Sequence, residues 1–240
     1  MVNATFFKRL FCFCAVILIT GGVMSHVHAE CVYQPKLSGL PEPVESKNSR
    51  NIRRGINLSQ WWQDRQDRPL TQDDVRGLRN IGFDFVRLPI SPAWLDIKDE
   101  AEQRKKIEAL RCDIVMILNE DLRVIVDMHP SDTVQKYLSQ NTAELIPVVE
   151  EDWRKMQAVL QGLPVSRVIL QLWNEPLVET DLWWRMQDRM LQDLRKYFPD
   201  HTFVVSAGPF NGWWTMVEKK PYADQNLIYD FHFYDPMVFT

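Results

Sequence analysis

Six short runs of apolar, largely β-branched residues recur along this chain, at 54–58, 83–88, 123–128, 167–173, 202–206 and 227–233. Runs that stay apolar at every position, instead of alternating, belong to strands buried on both faces, which is the mark of a parallel sheet covered by helices. The stretches between them have helical spacing. Thr71-Gln72-Asp73-Asp74 resembles a capping box and opens a helix over 71–81, acidic residues at 99–102 open another that runs to about Asn119, and 143–160 and 181–197 supply two more. Pro147 falls near the start of the third, in a first turn that tolerates it. The fifth connection, 208–226, is irregular and has room only for a short helix.

Such alternation leaves a doubly wound open sheet or a (β/α) barrel. A dinucleotide-type open sheet carries a glycine-rich turn after its first strand. Here Gly55-Ile56-Asn57-Leu58-Ser59-Gln60 has one glycine and runs into Trp61-Trp62. The barrel is therefore expected, and its polar residues fall where a barrel gathers chemistry, at the C-terminal ends of the strands: Asn57, Arg87, Asp127, His129, Asn174, Glu175, His232 and Tyr234.

The N-terminus reads as an export signal. Lys8 and Arg9 precede an apolar run from Leu10 to Met24, and Ser25-His26-Val27-His28-Ala29 ends in the small residue a signal peptidase prefers. The apolar core is short for a membrane span and gives way to Gly21-Gly22 and a polar tail, so cleavage near Ala29 and a secreted or periplasmic location are expected, with no membrane association afterwards. Residues 30–50, rich in proline, read as a linker or extended lead-in to a domain over 51–240. Removing the signal leaves 26 basic against 32 acidic side chains, a net charge of −6, which offers nothing to a polyphosphate and excludes nucleic acid as a partner. Cys31 and Cys112 survive cleavage and can pair in an oxidising compartment; the spacing does not decide it.

Val168-Ile169-Leu170-Gln171-Leu172-Trp173-Asn174-Glu175-Pro176 is the most specific segment. A buried strand that ends in a carboxylate places Glu175 in apolar surroundings, where desolvation raises its pKa toward that of a general acid. Nine tryptophans point toward a sugar ligand, since flat aromatic faces stack on sugar rings. Trp61-Trp62 and Trp213-Trp214 follow strands one and five and are expected to supply at least one platform each, while Trp153 and Trp183-Trp184 sit in helical stretches and read as packing. Two histidines and one glutamate have no recognisable metal spacing, and neither a metal nor a cofactor is expected.

Five motifs in order resemble glycoside hydrolase family 5, the cellulase-type barrels: Arg54-Gly55-Ile56-Asn57-Leu58, Gly82-Phe83-Asp84-Phe85-Val86-Arg87-Leu88-Pro89, Val126-Asp127-Met128-His129, Trp173-Asn174-Glu175-Pro176 and His232-Phe233-Tyr234. The resemblance implies an eight-stranded (β/α) barrel and retaining hydrolysis of a β-linked polysaccharide or oligosaccharide, with Glu175 as acid/base. It implies that Asn174 binds the sugar 2-hydroxyl, that Arg87 and Tyr234 hold the nucleophile, and that His129 and His232 line the same subsite. Retaining hydrolysis needs two carboxylates about 5 to 5.5 Å apart. By the resemblance the second ends strand seven, and strand eight would follow. The stretch 51–240 has 190 residues against about 250 for a full barrel, so about six βα units are expected, with the nucleophile absent. Such a chain would be inactive and prone to aggregate through its open edges. A non-catalytic carbohydrate-binding remnant is the competing reading, and an unrelated barrel enzyme ranks below both.

Overall fold

In the computed structural model the described residues are 31–34, 52–62, 69–217 and 219–235. The expected export signal lies outside them, as do most of the lead-in and Glu218. The elements in chain order are β1 Gly55–Asn57, α1 Ser59–Trp62, α2 Gln72–Asn80, β2 Phe85–Ile90, α3 Glu100–Asn119, β3 Arg123–Met128, α4 Asp132–Gln140, α5 Thr142–Leu160, β4 Val168–Gln171, α6 Thr180–Leu194, β5 Phe203–Val205 and β6 Leu227–Tyr229. Short 3-10 turns at Pro92–Leu95, Pro209–Asn211 and Trp213–Thr215 lie in the connections.

The six strands form one sheet, all parallel, each paired with its neighbours in sequence. This is the strand order of a (β/α) barrel. Its two faces carry different chemistry. Leu88, Val126, Leu170 and Phe203 stand in register across β2 to β5 and are fully buried in the large core shared with the helices. One residue along each strand the side chains face the barrel interior, where Ile125, Ile169 and Val204 make a small cluster with Ile52, Phe85 and Ile228. Two residues further toward the C-terminal ends, the same inner face changes from apolar to polar at Arg87, Asp127, Gln171 and Asp230. Gly55 is required by this layer, because a β-carbon there would fall 2.2 Å from the Phe85 ring.

Local signals set the helix starts. Thr71 and Asp74 close the anticipated capping box on α2, and the Asp99 carboxylate accepts from the backbone N–H groups of Ala101 and Glu102 to start α3. Helix α4 was not anticipated. Its N-cap is Ser131, whose hydroxyl accepts from the Val134 N–H, and it buries Gln135 and Leu138. Helix α5 starts at Thr142, which puts Pro147 beyond its first turn and leaves the Ala143 carbonyl without its usual i+4 donor. The last helix ends at Leu194, short of the expected 197.

Cys31 and Cys112 form a disulfide, with Cα atoms 5.0 Å apart and a sequence separation of 81. It fixes residues 31–34 against α3, where Asn119 accepts from the Gln34 N–H and donates to the Val32 carbonyl. Among the described residues no helix is long and apolar enough to cross a membrane.

Candidate active site

Arg87 organises the C-terminal ends of the strands. From β2 its guanidinium donates to Gln171 Oε1 at 2.6 Å, Asn57 Oδ1 at 3.0 Å and Asn174 Oδ1 at 2.7 Å, and pairs with Asp127 Oδ2 at 2.8 Å. Planar donors in a fixed fork suit several acceptors on different strands, and a lysine could not reproduce the pattern. Asp127 is fully buried and also accepts from His129 Nδ1 at 2.8 Å. That leaves His129 Nε2 facing the Asn174 side-chain amide at 3.3 Å, the pattern of an Nδ1–H tautomer. Asn174 is thus held on both its oxygen and its nitrogen, in a residue that is 4% exposed.

Glu175 follows at φ +42°, a left-handed conformation that a residue with a β-carbon rarely adopts and that a following proline disfavours further. Its Oε1 accepts from His232 Nδ1 at 2.5 Å and from the Tyr234 hydroxyl at 3.1 Å. His232 sits between two carboxylates, since its Nε2 lies 3.5 Å from Asp230 Oδ2. Asp230 in turn accepts from Gln171 at 3.3 Å and Asn211 at 3.0 Å. A continuous chain of polar contacts therefore links Arg87 through Gln171, Asp230 and His232 to Glu175.

Burial alone would raise the Glu175 carboxyl, as the sequence suggests. The hydrogen bond and charge of His232, with the Tyr234 hydroxyl, outweigh it and hold the carboxyl below its ordinary value. Burial works against a charged His232, but Asp230 and Glu175 overcome it and push the imidazole up to about 9. At neutral pH the pair is an ionised carboxylate and an imidazolium, so in this geometry Glu175 is a proton acceptor. Tyr234 and Arg87, anticipated as holding a nucleophile, are engaged with Glu175 and with the Asn57, Gln171, Asn174 and Asp127 group respectively.

The aromatic positions divide. Trp62 is not a platform: it is 0% exposed, donates from Nε1 to Asp113 at 2.8 Å and meets Trp94 edge to face. Adjacent residues on a helical turn point about 100° apart, and this one points inward. Trp61 is partly buried against the core. Trp213 and Trp214 are 44% and 60% exposed, packed edge to face after β5. Trp213 lines an apolar groove of about 400 Å³ with Met216, Val217, Phe231 and Phe233. Trp153 and Trp183 are buried, as their helical context suggests. Gln171, Asp230, Asn211 and Gln135 were missed; Gln171 was visible as the one polar residue in an otherwise apolar strand.

Carboxylate, imidazole, amide and guanidinium groups are gathered at the C-terminal ends of the barrel strands, where they can give and take protons and hydrogen bonds. The Cellulase family, described as glycosyl hydrolase family 5, matches residues 44–240, and the chain belongs to it. Endoglucanase 3 of Fibrobacter succinogenes is 22% identical over 221 residues, covering 84% of this chain and 34% of that protein. Cellodextrinase A of Ruminococcus flavefaciens is 22% identical over 206 residues, covering 80% and 61%. A hyperthermophilic endo-β-1,4-glucanase solved in complex with substrate superposes with a TM-score of 0.67 at 21% identity, covering 78% of this chain and 61% of that one. Cel5A of Thermotoga maritima, solved with mannotriose, gives 0.68 at 18% identity, covering 81% and 64%. The chain thus spans 34% and 61% of the length of these two curated relatives.

Proposed function

We propose that the protein is an exported β-glycan hydrolase of the endo-β-1,4-glucanase kind, working by retaining double displacement with Glu175 as acid/base. The observation that carries this reading is the placement of Glu175 at the end of β4, beside Asn174 and under the hydrogen bonds of His232 and Tyr234. In the first step Glu175 protonates the leaving glycosidic oxygen as a carboxylate nucleophile attacks the anomeric carbon. In the second its carboxylate takes a proton from the water that releases the glycosyl-enzyme. The carboxylate state favoured here suits the second step. The first requires a negative charge nearby to raise Glu175, and a nucleophile about 5 to 5.5 Å away supplies that charge.

Asp127 is fully buried with Arg87 and His129 both on its Oδ2, and Asp230 is engaged by His232, Gln171 and Asn211. The nucleophile is therefore sought outside the described residues, and residues 1–240 alone are expected to bind a β-glucan without turning it over. The same engagement of both aspartates, together with exposed Trp213 and Trp214, supports the second reading, a sugar-binding protein without turnover.

The test is Glu175→Ala in a form of the protein that hydrolyses β-glucan. Loss should be about 10²-fold or more on poor leaving groups and small on activated aryl glycosides. Azide should rescue the latter and yield a glycosyl azide of retained configuration. Equal loss on both substrate types would assign Glu175 another role, and no turnover in any form carrying further barrel units would favour the binding reading.

A further inference from the structure

Helix α4 brings to the site a residue that no motif marks. Gln135 is 7% exposed and lies behind the Trp173-Asn174-Glu175 turn. Its Oε1 accepts from the Trp173 indole N–H at 3.1 Å, and its Nε2 donates to the Asn174 backbone carbonyl at 3.0 Å. The indole nitrogen can only donate, so the Gln135 amide has one orientation, with its NH₂ on that carbonyl. The carbonyl belongs to the peptide plane that leads into Glu175 at φ +42°. Turning that plane over would bring the Glu175 φ into the ordinary negative region and relieve the conformation, but only by breaking the bond to Gln135; without that bond the turn, and the Glu175 side chain it carries, is free to settle away from His232 and Tyr234. On its other side the turn is anchored by the Asn174 N–H, which donates to the Met128 carbonyl at 2.9 Å.

We propose that Gln135 is a positioning residue, which holds the Asn174–Glu175 peptide in its left-handed setting and so keeps the Glu175 carboxylate against His232. The proposal rests on Glu175 being the functional carboxylate, but its test does not need turnover. The two halves of the amide do different jobs. The oxygen secures Trp173, a core residue, whereas the NH₂ alone reaches the peptide that sets Glu175.

The experiment uses the chain from Glu30 to Thr240 and follows the His232 ring by ¹H–¹⁵N NMR during a pH titration, with Glu175→Gln as the reference for a site lacking the carboxylate. Besides Glu175, the groups facing His232 are Asp230, at 3.5 Å from Nε2, and Tyr234, edge-on to the ring. Both are present in every variant and cancel in the comparison. Gln135→Met, which removes both polar groups at similar length, should move the His232 titration at least one pH unit down from its wild-type position toward that of Glu175→Gln. Gln135→Leu likewise removes the donor to the carbonyl and adds no charge near His232. It should shift His232 in the same direction, and it supplies the answer if Gln135→Met does not fold. Trp173→Phe removes the indole N–H while leaving Gln135 its donor, and should leave the His232 titration in place despite any loss of stability. An unchanged His232 titration in both Gln135 variants, with lowered stability, would overturn the proposal and leave Gln135 as packing. A shift in the Gln135 variants combined with a failure of the Glu175→Ala leaving-group test would uphold the positioning role and refute only the acid/base assignment.

Discussion

Asp152 allows a quantitative test of how burial sets charge in this protein. It lies on α5 at 2% exposure, and its Oδ2 has no hydrogen-bond partner among the described residues. Burial pushes its carboxyl from 3.8 up to about 7, Asp96 adds to the rise, and Lys155 opposes it. Folded, the group keeps its proton to about pH 7; unfolded, it releases it near 3.8. Between those values the folded state binds more protons, so stability falls as pH rises by about 1.4 kcal/mol per unit and levels off above pH 7. A gap of about three units makes the total about 4 kcal/mol. Asp152→Asn removes this dependence while keeping size. The stability of Asp152→Asn minus that of the wild type, from urea unfolding followed by tryptophan emission, should rise by about 4 kcal/mol between pH 4 and pH 8. Asp113, which burial raises to about 6 against the hydrogen bond from Trp62, titrates in the same window but is present in both proteins and drops out of the difference. A difference that stays flat from pH 4 to pH 8 would refute the reasoning.

The Cys31–Cys112 disulfide closes a loop of about 80 residues, so replacing both cysteines by serine should cost about 4–5 kcal/mol in urea unfolding on a chain-entropy estimate. In protein recovered from the oxidising compartment, N-terminal sequencing should start near Glu30 and thiol titration should find neither cysteine free; a chain that still begins at Met1 would remove the export reading. Trp62→Ala should cost about 3–5 kcal/mol, as for a buried aromatic, while Trp214→Ala should stay within about 0.5 kcal/mol. Only the Trp214 variant should weaken the fluorescence response of the folded protein to cello-oligosaccharide, and an unaltered response would remove it as a platform.

The parallel sheet was legible because residues such as Val124-Ile125-Val126 and Val168-Ile169-Leu170 are apolar at every position, which only a strand buried on both sides requires. Arg87, Asp127, His129, Asn174, Glu175 and His232 were legible for the opposite reason, as polar groups where such strands end. Their partners were not. Gln171 and Asp230 matter through contacts between strands far apart in sequence, and a single sequence carries no record of those contacts. Helix α4 was hidden because Pro130-Ser131 reads as a loop, although the same serine is its cap. Which of Trp61 and Trp62 turns inward is not readable from their sequence, because the two side chains point in different directions and packing against Trp94 puts Trp62 inside. The direction of the Glu175 shift was missed because desolvation is readable from an apolar strand, whereas a histidine 57 positions away is not.

The nearest-neighbour order of the sheet has a consequence for synthesis. A ribosome delivers β1 first and β6 last, so every strand after β1 emerges to find the neighbour that precedes it already made, and each new strand adds to the growing edge of the sheet. Glu175 is in place once β4 docks, but its two hydrogen-bonding partners, His232 and Tyr234, arrive only with the segment after β6. During that interval burial alone acts on the carboxyl and raises it, and the arrival of His232 reverses the direction of the shift. The direction in which Glu175 is pushed therefore depends on how far the polypeptide has been delivered.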